Sequence, residues 1–405
     1  MAKEKKESLD SIINSLIKED DEFLYNGKEA ALKDTRIQFD APRLTWAYGG
    51  SFKLNAIHRF NGKESGGKTT LATYIAGQCQ RRKFEKDGNW NNAHVVILDY
   101  ERSFDVIHAQ CLGLILEDPE TGKPLVHVSR KKYVEEGEEA WEQMVQTGQV
   151  CCTIYDSDAA GACHTELDNE IGKANFGALA KANGINIKRM NIYVDQYTTP
   201  VLWISQERAN QELMAHLPKP TGGEAVNFFP STRFRVTPKD PITKNGETVG
   251  ITIKAKNYKN KTGIPFRECY IDLYFKPVDG HSSGIDAEGQ YLDMAKELGL
   301  INQRGAWYYY KEDTPDAQKF QGFAGAVEFF KNNPAEFDEI KKAVNSVMAE
   351  FNEKLDKNSV EVDEEVEFQK EQMEAKAKRE AAIKNLAEEA LAASKEESSE
   401  TNEAE

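Results

Sequence analysis

GKESGGKTT, residues 62–70, is the stretch whose reading decides the fold. It fits the pattern G-x-x-x-x-G-K-[ST] through Gly62, Gly67, Lys68 and Thr69. AIHRFN before it reads as a short strand, and TLATYIAGQCQRR after it as a helix, the setting that gives the pattern meaning. Its glycines allow the bend Lys63-Glu64-Ser65-Gly66 to turn successive N–H groups into one concavity. The helix opening at Thr69 and Thr70 adds unpaired donors and partial positive charge, which suit a phosphate. Lys68 would reach the β- and γ-phosphates, and the Thr69 hydroxyl would ligate Mg²⁺. The chain therefore reads as a nucleotide-binding protein.

Outward from this loop, composition sets wide bounds. The 405 residues suffice for two or three domains. No apolar run approaches the ~18 residues of a membrane helix, and MAKEKKESLDSI lacks the apolar centre of a signal peptide. The six cysteines (Cys79, Cys111, Cys151, Cys152, Cys163 and Cys269) show no metal spacing and read as small core residues in a reducing cytosol. Net charge is −15, but residues 351–405 carry 17 acids and 8 bases and so hold −9 of it. The remainder is mildly acidic, so charge does not exclude a nucleic-acid partner.

Along the chain, residues 8–19 place Leu9, Ile12, Ile13, Leu16 and Ile17 on one face of a short amphipathic helix. NNAHVVILDYERSFD is a buried parallel strand ending in acids at its carboxyl end, where α/β sheets bind ligands. Glu101 there is a candidate general base, or an ordinary acid on a loop. EDPETGKP reads as a turn or small hairpin insertion, LVHVS as a strand, and EEGEEAWEQMVQTG as a helix. QVCCTIYDSDAAG is a second apolar strand ending at Asp156-Ser157, as a magnesium-holding carboxylate should. PVLWIS is another buried strand, ending at Gln206 before a segment poor in apolar residues that closes on Gly222-Gly223. RFRVTP, GITIKAKNYKNKTG and ECYIDLYFKPV read as strands, with PKDPITKNGETV as a turn carrying an Asn-Gly hairpin signal. From about residue 280 a small, mainly helical unit follows, with the short hydrophobic GAWYYYK inside it. Beyond 350 the chain is rich in Ala, Glu and Lys and would bury no core.

These motifs, in this order, resemble bacterial RecA and its phage relatives of the UvsX type over roughly residues 35–345. ILDYERSFDVIHAQCLGL is similar to the segment bearing that family's catalytic glutamate, which implies the role for Glu101 and adenine contacts for Asp105 and His108. The family usually has tyrosine at the His108 position. TIYDSDAAG implies Mg²⁺ coordination at Asp156 and Ser157. ELDNEIGKANFG resembles the first DNA-binding loop, with Phe176 as the wedge between bases. WISQERANQ…TGGEAVNFF resembles the stretch from the γ-phosphate sensor, here Gln206, through the second DNA-binding loop. That implies DNA contacts at Arg208, Met214, Gly222 and Gly223 and an interface aromatic at Phe228. YKNKTGIPF resembles the segment whose lysines, here Lys259 and Lys261, reach the neighbour's nucleotide.

The resemblance implies an α/β fold: a RecA-like P-loop ATPase core with a mostly parallel central sheet, a short N-terminal helix, a small C-terminal α/β domain and an acidic disordered tail. The boundaries expected are 1–34 for the N-terminal oligomerisation segment, 35–279 for the core, 280–350 for the small domain and 351–405 for the tail. The activity implied is that of a DNA-dependent ATPase using ATP and Mg²⁺. It would form helical filaments on single-stranded DNA and pair them with homologous duplex in recombination and repair. Its setting would be the cytoplasm of a bacterium or phage-infected host, with single-strand-binding and loader proteins as further partners and no membrane. The acidic tail would compete electrostatically with duplex DNA. A hexameric DNA motor shares the phosphate loop and the Asp156 strand but explains neither the lysine segment nor GAWYYYK. A nucleotide-gated coating filament without catalysis leaves Glu101 and Lys259 without a use.

Overall fold

The computed structural model describes residues 35–167, 177–208, 219–220 and 225–358. The helix expected over 8–19, the DNA-loop residues Phe176, Met214, Gly222 and Gly223, and the tail past 358 lie outside the described residues. The first strands are β1 (Arg36–Ile37), β2 (Phe52–Lys53), β3 (Ile57–Gly62), β4 (His94–Asp99), β5 (Val126–Ser129) and β6 (Val150–Asp156). They are followed by β7 (Val201–Arg208), β8 (Lys219–Pro220), β9 (Thr232–Lys244), β10 (Glu247–Asn260), β11 (Glu268–Tyr274) and β12 (Gly284–Ile285). The main sheet runs β12-β11-β10-β9-β3-β7-β6-β4-β5, with β8 beside the end of β7. From β9 to β5 the pairing is parallel, while β10 to β12 are antiparallel. Helix α1 (Pro42–Ala47) joins β1 to β2, a separate antiparallel pair; the parallel strands need crossovers, which α2 (Lys68–Asp87), α3 (Val106–Cys111), α4 (Val134–Val145), α5 (His164–Leu167), α6 (Ala178–Tyr197) and α7 (Ala225–Phe228) supply.

The apolar runs are continuous because both sheet faces are covered, and the period-2 alternation sorts each run between two cores. Val95, Ile97, Ile154, Leu202 and Ile204 face α2 with Leu71 and Ile75. Val96, Leu98, Tyr155, Val201 and Trp203 face the opposite way, against Val134 and Trp141 of α4 and Ile187 and Met190 of α6. Trp203 stacks on Tyr155 with ring centroids 3.9 Å apart. Five of the six cysteines are buried, as their apolar surroundings require, but Cys111 is exposed at the end of α3. Among the described residues no helix is long and apolar enough to cross a membrane.

Two expectations change. PKDPITKNGETV is not a broad turn: β9 and β10 run through it, leaving only Asn245 and Gly246 between them. Both have positive φ, 50° and 82°, the backbone that suits a tight hairpin. Pro238 and Pro241 flank a register shift against Ile251 and Ile253, where a missing N–H is tolerated. GAWYYYK, in turn, is no part of a helical unit. It supplies β14 (Trp307–Tyr310), central between β13 (Ile301–Arg304) and β15 (Gln318–Gln321) in an antiparallel sheet. Helices α8 (Ala287–Glu297), α9 (Gly322–Asn332) and α10 (Pro334–Asn358) cover it, and Tyr291, Leu292, Phe320, Phe330, Phe337 and Ile340 fill the core between.

One helix carries an acid into the second core. Glu138 of α4 is fully buried, and neither carboxylate oxygen has a hydrogen-bond partner among the described residues. Burial pushes its carboxyl up to about 8, Arg189 pulls it back, and Glu142, Glu135 and Glu139 push it further up. A carboxyl raised in the folded state binds its proton more tightly there than in the unfolded chain. Its penalty is therefore absent in acid and grows as pH rises through the folded value. Glu138→Gln should match the parent in urea unfolding near pH 3.5, below the unfolded value, and exceed it by roughly 1–3 kcal/mol at pH 9. Equal stability of the two proteins at both pH values would contradict the assignment.

Candidate nucleotide site

The site is built where the parallel strands end. β3 delivers Gly62, whose backbone lies so close to β9 that a Cβ there would sit 2.1 Å from the Val236 carbonyl oxygen. Gly67 caps α2 with φ 87°, and a Cβ would sit 2.7 Å from Ile253 Cδ1. Both positions thus demand glycine for distinct reasons, close approach at one and left-handed backbone at the other. The turn is held ready for a phosphate at the N-terminus of a 20-residue helix.

Lys68 is buried, and its Nζ donates to the Lys63 carbonyl at 2.7 Å, closing the loop on itself. Burial draws its ammonium below lysine's usual range, against the pull of Glu101 and Asp156. The Thr69 hydroxyl donates to Asp156 Oδ2 at 2.8 Å. Asp156 is 3% exposed, and burial, reinforced by the charges of Glu101 and Asp99, pushes its carboxyl up to about 7 despite the Thr69 bond. Its Oδ1 has no partner among the described residues. A buried carboxylate with an orphaned oxygen beside a threonine hydroxyl offers two hard oxygen donors, which suit Mg²⁺. Among the described residues no cluster of three or more His, Cys, Asp and Glu is arranged to hold a metal alone.

Glu101 lies alongside. Its Oε1 accepts from Ser157 Oγ at 2.5 Å and from Gln206 Nε2 at 2.7 Å. The Tyr100 and Glu101 amides both donate to the Asp156 carbonyl, at 2.7 and 3.2 Å, tying the ends of β4 and β6 together. Asp99 braces the loop behind, accepting from Ser103 N, Phe104 N and Arg130 Nε. Residues 64–70, Glu101, His108, Asp156 and Gln206 line one cleft of about 360 Å³, walled by Ile204, Pro238, Ile251, Ile253, Leu273 and Phe275. Lys68 is the one Lys or Arg among these lining residues.

The other expected site residues divide between the cleft and its surroundings. His108 reaches the cleft, with Nε2 3.4 Å from Thr70 Oγ1. Asp105 does not line it; its carboxylate caps α3, accepting from His108 N at 2.7 Å. Ser157, expected with the metal, turns its hydroxyl to Glu101. Lys259 and Lys261 are absent from the cleft lining: Lys259 Nζ donates to the Asn227 and Phe228 carbonyls and Lys261 Nζ to the Phe228 carbonyl. Phe228 is 66% exposed. Arg208 ends β7, its backbone paired with Lys219. Sequence reasoning missed Phe275, whose signal was only a bulky residue just past a strand end. It missed Arg59 too, although a full cation inside AIHRFN, a strand buried along its length, was a visible signal.

The sequence model of the RecA N-terminal domain matches residues 40–280, and that of the RecA C-terminal domain matches residues 289–349. The chain belongs to the RecA family. It is 27% identical over 325 residues to Protein RecA of Halalkalibacterium halodurans, covering 78% of this chain and 84% of that one. To Protein RecA of Ruminococcus albus it is 28% identical over 359 residues, 86% of this chain and 82% of that one. To Protein RecA of Chloroflexus aurantiacus it is 30% identical over 284 residues, 70% and 74%. RecA-family proteins are DNA-dependent ATPases, and the cleft has the parts to hold a nucleotide.

Lys68→Ala should therefore weaken binding of a fluorescent ATP analogue by about 10–100-fold, the worth of one charge-assisted phosphate contact. Circular dichroism should be unchanged. Unaltered affinity would show that the loop does not cradle phosphate.

Proposed function

We propose that this protein is an ATP-dependent recombinase that coats single-stranded DNA as a helical filament and pairs it with homologous duplex. The observation that carries the reading is a cleft lined, among the described residues, by one Lys or Arg, together with two lysines moored elsewhere beside an exposed aromatic. A phosphoryl transfer needs positive charge on both sides of the γ-phosphate. Among the described residues of one protomer the cleft offers Lys68 as its one Lys or Arg, so a second copy would bring Lys259 and Lys261 to it across an interface at Phe228.

In this mechanism the amides of residues 63–67 and Lys68 hold the phosphates. Thr69 and Asp156 would hold Mg²⁺, which neutralises charge on the phosphate oxygens. Glu101, fixed by Ser157, Gln206 and the Asp156 backbone, orients and deprotonates the attacking water. His108 and Phe275 flank the part of the cleft left for the base. Gln206 is bonded to Glu101 and stands two residues from the end of β7, so it would pass the presence of a γ-phosphate to the loop beyond. Phe176, Arg208, Met214, Gly222 and Gly223 would face DNA, with backbone contacts and apolar wedges rather than base-specific readout. The division into 1–34, 35–279, 280–350 and 351–405 belongs to the same reading, with the tail repelling duplex DNA.

The decisive assay is joint-molecule formation between a single strand and homologous supercoiled duplex, with ATP or ATPγS. Homology-dependent joints should form with either nucleotide, because pairing needs the assembled filament and not hydrolysis. Glu101→Ala should keep joints with ATPγS while lowering ATP turnover by about 100-fold or more, the worth of a general base. Single-strand-stimulated hydrolysis without joints would instead identify a translocating motor.

A further inference from the structure

Arg59 is not explained by phosphate binding. It stands three residues before Gly62 in β3, yet its side chain is fully buried and points away from the cleft lining. Neighbouring strands surround it with a polar set. Arg59 Nε donates to Ser205 Oγ at 2.8 Å, and Nη2 lies 3.7 Å from Asp158 Oδ2. That same oxygen accepts from Ser205 Oγ at 2.5 Å and from Trp203 Nε1 at 3.1 Å. Asp158 is 1% exposed. Two buried charges are costly to dehydrate unless hydrogen bonds complete them, so the pair is weak ground for stability and calls for another use.

The other end of the guanidinium shows one. Nη1 donates to the Val226 carbonyl at 3.2 Å and to Asn227 Oδ1 at 2.6 Å, both in α7. The next carbonyls of that turn, on Asn227 and Phe228, are the acceptors for Lys259 and Lys261. One planar fork therefore ties the end of β6, two residues past Asp156, and β7, one residue before Gln206, to the shelf that moors both lysines. We infer that Arg59 is a positioning residue: anchored on Asp158 and Ser205, it fixes residues 226–228 and so presents Lys259 and Lys261 to the neighbouring protomer's nucleotide. Burial lowers the guanidinium only to about 10, so it stays a cation at neutral pH. The inference rests on the reading, proposed above, that the two lysines act across the interface.

The test is complementation in mixed filaments. Asn227→Ala cuts one link between Arg59 and the shelf and leaves the buried charge pair intact, so the fold survives. Arg59→Lys, which keeps the charge and loses the fork, is the second variant. Each alone should lower single-strand-stimulated ATP turnover about tenfold, as expected for one lost charge-assisted contact. Lys68→Ala protomers, dead in their own phosphate loop, still present sound lysines. Mixing them with either variant should raise turnover several-fold above both parents, and a Lys259→Ala plus Lys68→Ala mixture should do the same. Recovery in the Lys259→Ala mixture alone would overturn the positioning role and spare the interface reading. Recovery in neither would remove both. Undiminished turnover by Asn227→Ala alone would also overturn the inference, since a shelf that needs no clamp has no use for Arg59.

Discussion

Dehydrated charge at the ends of parallel strands is the constraint on which the rest of this structure depends. Lys68, Asp156, Arg59 and Asp158 all lie almost out of reach of water. A cation and an acid in such a place attract more strongly than in solvent, and each unpaired atom costs more. The sheet meets that cost for Arg59 and Asp158 with internal hydrogen bonds. For Asp156 it does so only in part, through Thr69, leaving one oxygen without a partner among the described residues. The contrast separates an internally completed pair from a site that a ligand completes.

Everything around the site serves to keep those ends fixed. Side-chain alternation splits each apolar strand between two cores, so β3, β4, β6 and β7 are gripped on both faces. The amides of Tyr100 and Glu101 on the Asp156 carbonyl, and Asp99 on the turn behind, convert that rigidity into a fixed place for Glu101. The antiparallel extension, β10 and β11, adds Ile251, Ile253 and Leu273 as a dry wall to the cleft. A nucleotide entering here would meet groups already oriented, which is how a protein stabilises developing charge without reorganising during the reaction.

The fold and the heart of the site were legible because their signals are local. A phosphate loop is one bend between a strand and a helix, and the Asp99 and Asp156 strand ends are apolar runs stopping at an acid. The small domain's sheet was hidden because Trp307–Tyr310 is too short and too aromatic to show a period. The far half of β9, past the RFRVTP run, was hidden by prolines that only a register shift against β10 accommodates. The helix-capping bond of Asp105 was not legible, because a carboxylate near a nucleotide and one capping a short helix look alike in sequence. The Arg59 network could not be read at all, since it joins residues up to 168 positions apart whose meeting is fixed only by strand order.

The central claim is that the nucleotide completes an interface between copies, and assembly measures it most directly. Sedimentation of the full chain with a long single strand should show large polymers with ATPγS and Mg²⁺. With ADP those polymers should disperse, because the γ-phosphate is the group that Lys68 on one copy and Lys259 and Lys261 on the next would share. Equal polymer mass with ATPγS and ADP, or none with either, would contradict the account.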